Sequence, residues 1–285
     1  MYNRYIAAAF ALARHSRERV KVVEDAVSRK YFTYEEVQDW YSSVMDGMPG
    51  NMPPHRKKEN FARQINRTVA GEAVSHVAFA LRSLKTAVVM GAKQYLLIDA
   101  GYDSFAYQQP DWAQKMEIFE INPLDIAMDK QARLTRAGIS VAGNVNYVFA
   151  DINKPGLAAL LAGHPSFDRN RISFVQLGDA PCHMDRESFG RLLDEVAGII
   201  PAGSSVIFSC RAADYGADAK MSAPCGELDM FMSRHGFHIY EQIDPQQLEE
   251  QFFTLFNYAN IRTPLKAPEG MCWVLAVKKG ENAWL

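Results

Sequence analysis

The stretch QYLLIDAGYDSFAYQ, residues 94–108, decides the fold. Its first five residues are nearly all apolar, as in a strand buried on both faces of a parallel sheet. Asp99-Ala100-Gly101 then breaks the run, and a polar-aromatic segment follows. Six similar runs lie downstream: MEIFEIN, NYVFADI, RISFVQLG, SSVIFSC, HIYEQI and CWVLAVK. Helical patterns separate the earlier ones, including PLDIAMDKQARLTRAG and RESFGRLLDEVAGII. Strand alternating with helix predicts an α/β fold, a doubly wound Rossmann-like sheet that is mostly parallel. Between HIYEQI and CWVLAVK there is no single obvious crossover helix, so the final strand is expected to run antiparallel.

Upstream, the chain reads as helical. TYEEVQDWYSSVM carries Thr33 as an N-cap with Glu36 three residues on, a capping box. MDGMPGNMPPHRKK, rich in Gly and Pro, is expected to be a loop, and NFARQINRTVAGEAVSHVAFALRSLKTAV resumes the helical period. The expected division is an N-terminal helical cap over residues 1–62 and a ligand-binding domain over 63–285.

Composition narrows the function. The 285 residues are 48% hydrophobic and carry a formal net charge of -2, so nucleic acid is not an expected partner. The one dense basic cluster, His55-Arg56-Lys57-Lys58, reads as a solvated loop or helix start. Cys182, Cys210, Cys225 and Cys272 are scattered without a C-x-x-C pair, which predicts reduced thiols and no metal site. The apolar run near the N-terminus is too short to span a bilayer and no cleavage site follows it. A cytoplasmic protein without a membrane partner is expected, and an assembly of identical copies is compatible with the sequence.

In a doubly wound sheet, ligands bind beyond the carboxyl ends of the strands where the winding reverses. The residues at those ends are Asp99-Ala100-Gly101, Glu120-Ile121-Asn122, Ala150-Asp151-Ile152 and Leu177-Gly178-Asp179. A glycine after the first strand allows close approach to the backbone, and a polar residue about twenty positions on is placed for ribose hydroxyls. Asp151 suits an adenine amino group, although Asn122 and Asp151 equally suit turns or helix caps. The first loop lacks the G-x-G-x-x-G fingerprint that seats a pyrophosphate, which points to S-adenosylmethionine and away from a nicotinamide dinucleotide. Its carboxylate needs a cation, for which Arg67 is the candidate. His183, in GDAPCHMD, and His76 are the candidate general bases.

These pieces resemble, as a set, the leucine carboxyl methyltransferase family of S-adenosylmethionine-dependent O-methyltransferases. The family pattern runs Arg-Thr, G-A-G-x-D-x-R-x-Y, F-E-V-D-x-P and then a D-L pair. Here Arg67-Thr68 matches the pair whose arginine holds the cofactor carboxylate. Ala100, Gly101, Asp103, Ala106 and Tyr107 match the loop, Phe119, Glu120 and Pro123 the second motif, and Asp151-Ile152 the adenine-side pair. The chain departs from the family at Asp99 (first loop glycine), Phe105 (loop arginine) and Asn122 (ribose-binding aspartate). Leu177-Gly178-Asp179 stands where Glu-Gly is expected. The resemblance implies a class I methyltransferase fold with a cofactor site formed by Arg67, Asp99, Ala100, Gly101, Glu120, Asn122, Asp151, Ile152, Leu177, Gly178 and Asp179. The expected acceptor is a hydroxyl or carboxylate of a small molecule, a natural-product intermediate. A silent binding protein, or an enzyme using the fold for other chemistry, remains open at this point.

Overall fold

The computed structural model describes residues 4–45, 53–216 and 226–280. Its strands are β1 (Gln94–Ile98), β2 (Glu117–Asn122), β3 (Val145–Phe149), β4 (Ser173–Gln176), β5 (Ser205–Arg211), β6 (Phe237–Ile243) and β7 (Met271–Lys278). Each coincides with one of the seven apolar runs, overstepping it by at most one residue. They form one sheet in the order β3-β2-β1-β4-β5-β7-β6. Only β7 is antiparallel to its neighbours, and it lies between β5 and β6, so the edge belongs to β6. The winding reverses between β1 and β4, which makes their carboxyl ends the expected ligand position.

The central strand shows why the sequence had to fold this way. All five residues of β1 are buried, and alternate side chains enter two separate apolar layers. Tyr95 and Leu97 join Phe174, Ile207 and Trp273 on one face, while Leu96 and Ile98 join Phe119, Val175 and Phe208 on the other. An alternating strand would have left one of those faces without a core.

The helices are α1 (Arg4–His15), α2 (Tyr34–Met45), α3 (Pro54–Arg67), α4 (Val69–Val89), α5 (Leu124–Arg136), α6 (Leu157–Ala162), α7 (Arg186–Ala197), α8 (Gly226–Arg234), α9 (Pro245–Leu248) and α10 (Thr254–Ala259). The capping box at α2 forms: the Thr33 N–H donates to Glu36 at 2.7 Å and the Glu36 N–H donates to Thr33 Oγ1 at 3.2 Å. The loop expected over residues 45–58 is shorter than the sequence suggested. Residues 46–52 lie outside the described residues, and helix begins at Pro54, where a missing N–H costs nothing. The long helical pattern after residue 60 is two helices, broken at Thr68 (φ −120°, ψ −106°). Gly71 lets α4 approach the final connection, since a Cβ there would stand 1.8 Å from the Lys266 carbonyl oxygen. Helix α1 packs along α4, and its N-terminal end reaches the tips of β1 and β4. Of the insert after β5, residues 217–225, with Cys225, lie outside the described residues.

Cys182, Cys210 and Cys272 are free thiols, and the last two face each other across β5 and β7 with sulfurs 3.3 Å apart. Among the described residues no helix is long and apolar enough to cross a membrane, and no cluster of metal-ligating side chains is assembled.

Candidate cofactor site at the strand tips

The turn after β1 is built on an unusual backbone. Asp99 adopts φ +59°, the left-handed conformation that a glycine would take without strain, and Gly101 follows at φ +51°. Aspartate is among the few residues that tolerate this region, at a cost of about 1 kcal/mol. The loop therefore keeps a glycine-like path although the first glycine is gone. The Gly101 N–H donates to Asn122 Oδ1 at 2.7 Å, and the Ala100 N–H donates to the Ile121 carbonyl at 3.2 Å, tying the turn to the end of β2. Phe105, in the family's arginine position, is buried edge-to-face on Tyr95, with ring centroids 5.2 Å apart.

Two carboxylates converge at the tips. Asp99 follows β1 and its side chain is almost fully buried, while Asp179 lies beyond β4 and its side chain is 29% exposed. Both bind one guanidinium, that of Arg4 in the first turn of α1: Arg4 Nη1 donates to Asp179 Oδ1 at 2.8 Å, and Arg4 Nη2 donates to Asp99. Tyr5 beside it donates its hydroxyl to Asp99 Oδ1 at 2.6 Å. The Tyr5 ring covers Gly101 so closely that a Cβ on that glycine would lie 2.4 Å from it. Burial works to raise the Asp179 carboxyl. The hydrogen bond from His183, with the charges of His76, Arg4 and His183, holds it well below the usual carboxylate range.

Arg4 and Tyr5 stand between two hollows. The larger, about 270 Å³, is lined by Asp99, Ala100, Gly178 and Asp179 from the strand tips and by Glu72 and His76 from α4. The smaller, about 50 Å³, meets Asp99, Asp151, Ile152 and His183. Gly178 sits at φ +56° with open space where a Cβ would project. The structure thus gathers Asp99, Ala100, Gly178, Asp179, His76, Asp151, Ile152 and His183 around one region, with Gly101, under the Tyr5 ring, and the buried Asn122 bracing the loop behind it.

Three sequence candidates, Glu120, Leu177 and Arg67, line neither hollow. Glu120 does not reach the hollow. It lies two residues back from Asn122 on the same face of β2, fully buried, where it pairs with Lys130 of α5 and accepts from Tyr107 at 2.5 Å. Burial raises its carboxyl against the pull of Lys130. Leu177 is fully buried in the apolar layer with Leu193 and Phe208, so it supports the tip without facing it. Arg67 is exposed at the α3–α4 break and makes no side-chain ion pair among the described residues. The residues that follow it, Val69, Glu72 and Ala73, line the larger hollow. Asp151 caps its own turn by accepting from the Asn153 N–H at 3.0 Å, which lowers its carboxyl.

Both histidines have partners. His183 Nε2 meets Asp179 Oδ2 at 2.8 Å, and His76 Nε2 meets Ser209 Oγ at 3.1 Å. Sequence reasoning missed Arg4 and Tyr5, and named Asp103 only as a match to the family loop. Asp103 and Gln176 line both the larger hollow and an adjoining cavity of about 460 Å³ walled by Val77, Leu81, Tyr95, Phe105 and Trp112. Removal from water raises the Asp103 carboxyl, while Lys130 pulls it down. Arg4 and Tyr5 carried no local sequence signal, because their partners are 94 to 175 residues away.

The residues present suit S-adenosylmethionine at its charged end. Two carboxylates already hold a cation where an ammonium or sulfonium would lie, Gly178 leaves the backbone open, and Arg67, unpaired among the described residues, precedes the α4 residues that line the larger hollow. Arg4 and Tyr5 occupy part of the same space.

Comparison with known proteins agrees with the geometry. The family model of leucine carboxyl methyltransferases matches residues 5–197. A Bacillus subtilis (strain 168) protein, provisionally named S-adenosyl-L-methionine-dependent methyltransferase YktD, is 24% identical over 96% of this chain and 97% of its own length. A Mycobacterium marinum (strain ATCC BAA-535 / M) protein with the same provisional description is 28% identical over 61% of this chain and 52% of its own length. Among solved structures, magnesium protoporphyrin IX methyltransferase from Synechocystis PCC 6803 with bound SAM aligns with a TM-score of 0.45 at 11% identity, covering 91% of this chain and 100% of that one.

Proposed function

Because the chain belongs to the leucine carboxyl methyltransferase family and is an S-adenosylmethionine-dependent methyltransferase, we propose that it methylates an oxygen, hydroxyl or carboxylate, of a small natural-product intermediate. The observation that carries this reading is the convergence of Asp99 and Asp179 on one cation beside an imidazole. Bound S-adenosylmethionine supplies an electrophilic methyl group on a sulfonium. The chain's own residues bind, orient and take up a proton.

Asp99 and Asp179 favour a positive group between the tips of β1 and β4. Arg67, without an ion pair among the described residues, is the cation for the amino-acid carboxylate, and its guanidinium geometry suits bidentate pairing. Asn122 spends its oxygen on the Gly101 N–H, so it fixes the loop and has only its amide N–H groups to offer a ribose oxygen. Ile152 and Asp151 edge the smaller hollow on the adenine side.

A carboxylate acceptor needs no base, whereas a hydroxyl does. With Nε2 engaged by Asp179, His183 has Nδ1 to receive that proton, and Asp179 steadies the imidazolium that results. His76, oriented by Ser209, is the second candidate. Holding acceptor, methyl and sulfur in line is the larger share of the task and falls to the cavity walls.

The test is incubation with methyl-labelled cofactor and a panel of small phenols, alcohols and carboxylic acids, followed by mass analysis. Methyl ethers stable to mild base, or methyl esters cleaved by it, support the reading. Label found only on nitrogen, or only on protein C-termini, overturns it.

A further inference from the structure

A second cavity, about 540 Å³, lies between α1, α2 and α3. Helix α1 separates it from the cofactor hollow. Phe10, Ala13 and Arg14 face this cavity while Ala8, Ala9 and Leu12 face the other, and the two share no lining residue. Its wall is aromatic. Phe10 stacks on Phe32 with centroids 3.9 Å apart and on Trp40 at 4.8 Å, and Phe61 meets Trp40 edge-on at 5.7 Å.

Its charge is of one sign. Arg14, Arg17, Arg29 and Lys58 line it, and none of the described lining residues is acidic. Arg14 is committed to Asn66 at 2.7 Å and Glu18 at 3.1 Å. The side chains of Arg17, Arg29 and Lys58 are exposed and have no ion-pair or hydrogen-bond partner among the described residues. In a chain of net charge -2, three uncommitted cations around one aromatic hollow are a local excess that packing does not require.

From this pairing of stacked rings and free cations we infer that the cavity binds an aromatic anion, a flat ring system bearing a carboxylate, sulfonate or phosphate. The ligand's rings lie against the half-buried Phe32 and Tyr41, which the buried Phe10–Trp40 stack holds in place and where offset stacking adds to area burial. Its anionic group meets Arg17, Arg29 and Lys58 at the rim, where a guanidinium can grip two oxygens at once. The volume lies within the range of small-molecule sites. This site is independent of methyl transfer, since nothing in it touches the strand tips.

The probe is 8-anilinonaphthalene-1-sulfonate, titrated by fluorescence against the full chain, with uncharged N-phenyl-1-naphthylamine as the matched control. A single saturable site is expected for the sulfonate, unaffected by saturating S-adenosylmethionine. The double variant Arg17→Gln/Arg29→Gln is expected to weaken it about tenfold while leaving the neutral analogue within about twofold. Raising salt from 0.05 to 0.5 M weakens the sulfonate alone. Ala62→Trp, which fills the cavity from α3, removes binding of both dyes. Because both arginines are exposed, the double variant keeps its fold, and an unchanged Tm verifies this. Non-saturable binding, displacement by S-adenosylmethionine, an unaltered titration in the double variant, or equal affinity for the neutral analogue each overturns the inference.

Discussion

Two arginines near the cofactor hollow should respond to mutation in opposite directions. Arg4 lines the hollow, and Arg67 stands at the α3–α4 break, just before Val69, Glu72 and Ala73, which line it. For a cationic ligand to sit between Asp99 and Asp179, the Arg4 guanidinium must leave both. Its side chain is 31% exposed and that of Asp179 29%, so solvent screens that pair, while the Asp99 side chain, 3% exposed, is screened only from the arginine's side. Breaking the two together costs about 1–2 kcal/mol. Arg4→Ala removes that cost and leaves two carboxylates in need of a cation, so S-adenosylmethionine should bind about 5–30-fold more tightly. The free variant should also be less stable by a similar amount. Arg67→Ala acts the other way: losing a charge-assisted pair to a carboxylate should weaken binding about 10–100-fold. Isothermal titration of wild type and both variants at low and high salt measures this. The wild-type affinity itself should rise with salt more than that of Arg4→Ala, as the competing pairs are screened. If Arg4→Ala binds the cofactor more weakly than wild type, Arg4 is part of the binding machinery and the competition argument is refuted.

Other consequences are open to measurement. Gly101→Val places a side chain at φ +51° and into the Tyr5 ring, and should lower stability by about 1–3 kcal/mol and abolish cofactor binding by titration. Lys130→Met strands the buried Glu120 carboxylate and should cost about 3–5 kcal/mol in chemical denaturation, most of it recovered by adding Glu120→Gln. Burial, with Arg14 and Lys21 nearby, pushes the His15 imidazole down to about 4, and its Nε2 accepts from the Val22 N–H at 3.0 Å. Protonation therefore favours the unfolded chain. Stability should be fully present above pH 6.5 and fall by about 1.4 kcal/mol per unit down to about pH 4, and His15→Gln should flatten that slope. His183→Ala should cut the turnover of a hydroxyl acceptor about 100-fold or more while leaving cofactor affinity within a few-fold. A proportional loss of cofactor affinity would assign His183 to binding instead.

The sheet was legible because its signal is local. Each strand is a short apolar run that must be covered on both faces, and the seven runs became the seven strands. The turn was legible through Gly101, while the conformation of Asp99 was not, since nothing in the residue's identity announces a positive φ. Glu120 shows the limit of reading strand ends. Side-chain alternation puts it on the same face as Asn122, yet two residues deeper, where Lys130 and Tyr107 enclose it. Helix boundaries slipped where proline could serve either a loop or a first turn, as at Pro54. The side chains that fill the hollow were beyond reach, because Arg4 meets Asp99 and Asp179 across 95 and 175 residues of chain. Only the assembled sheet brings those positions together.

A crystal structure grown with S-adenosylhomocysteine is the most direct trial of the cofactor site. The adenosyl group should rest above Gly101 and Gly178 with the ammonium of the homocysteine end between Asp99 and Asp179, and Arg4 and Tyr5 should be swung out of the hollow. Arg4 still bridging the two aspartates, with the ligand bound at another face, would contradict the account.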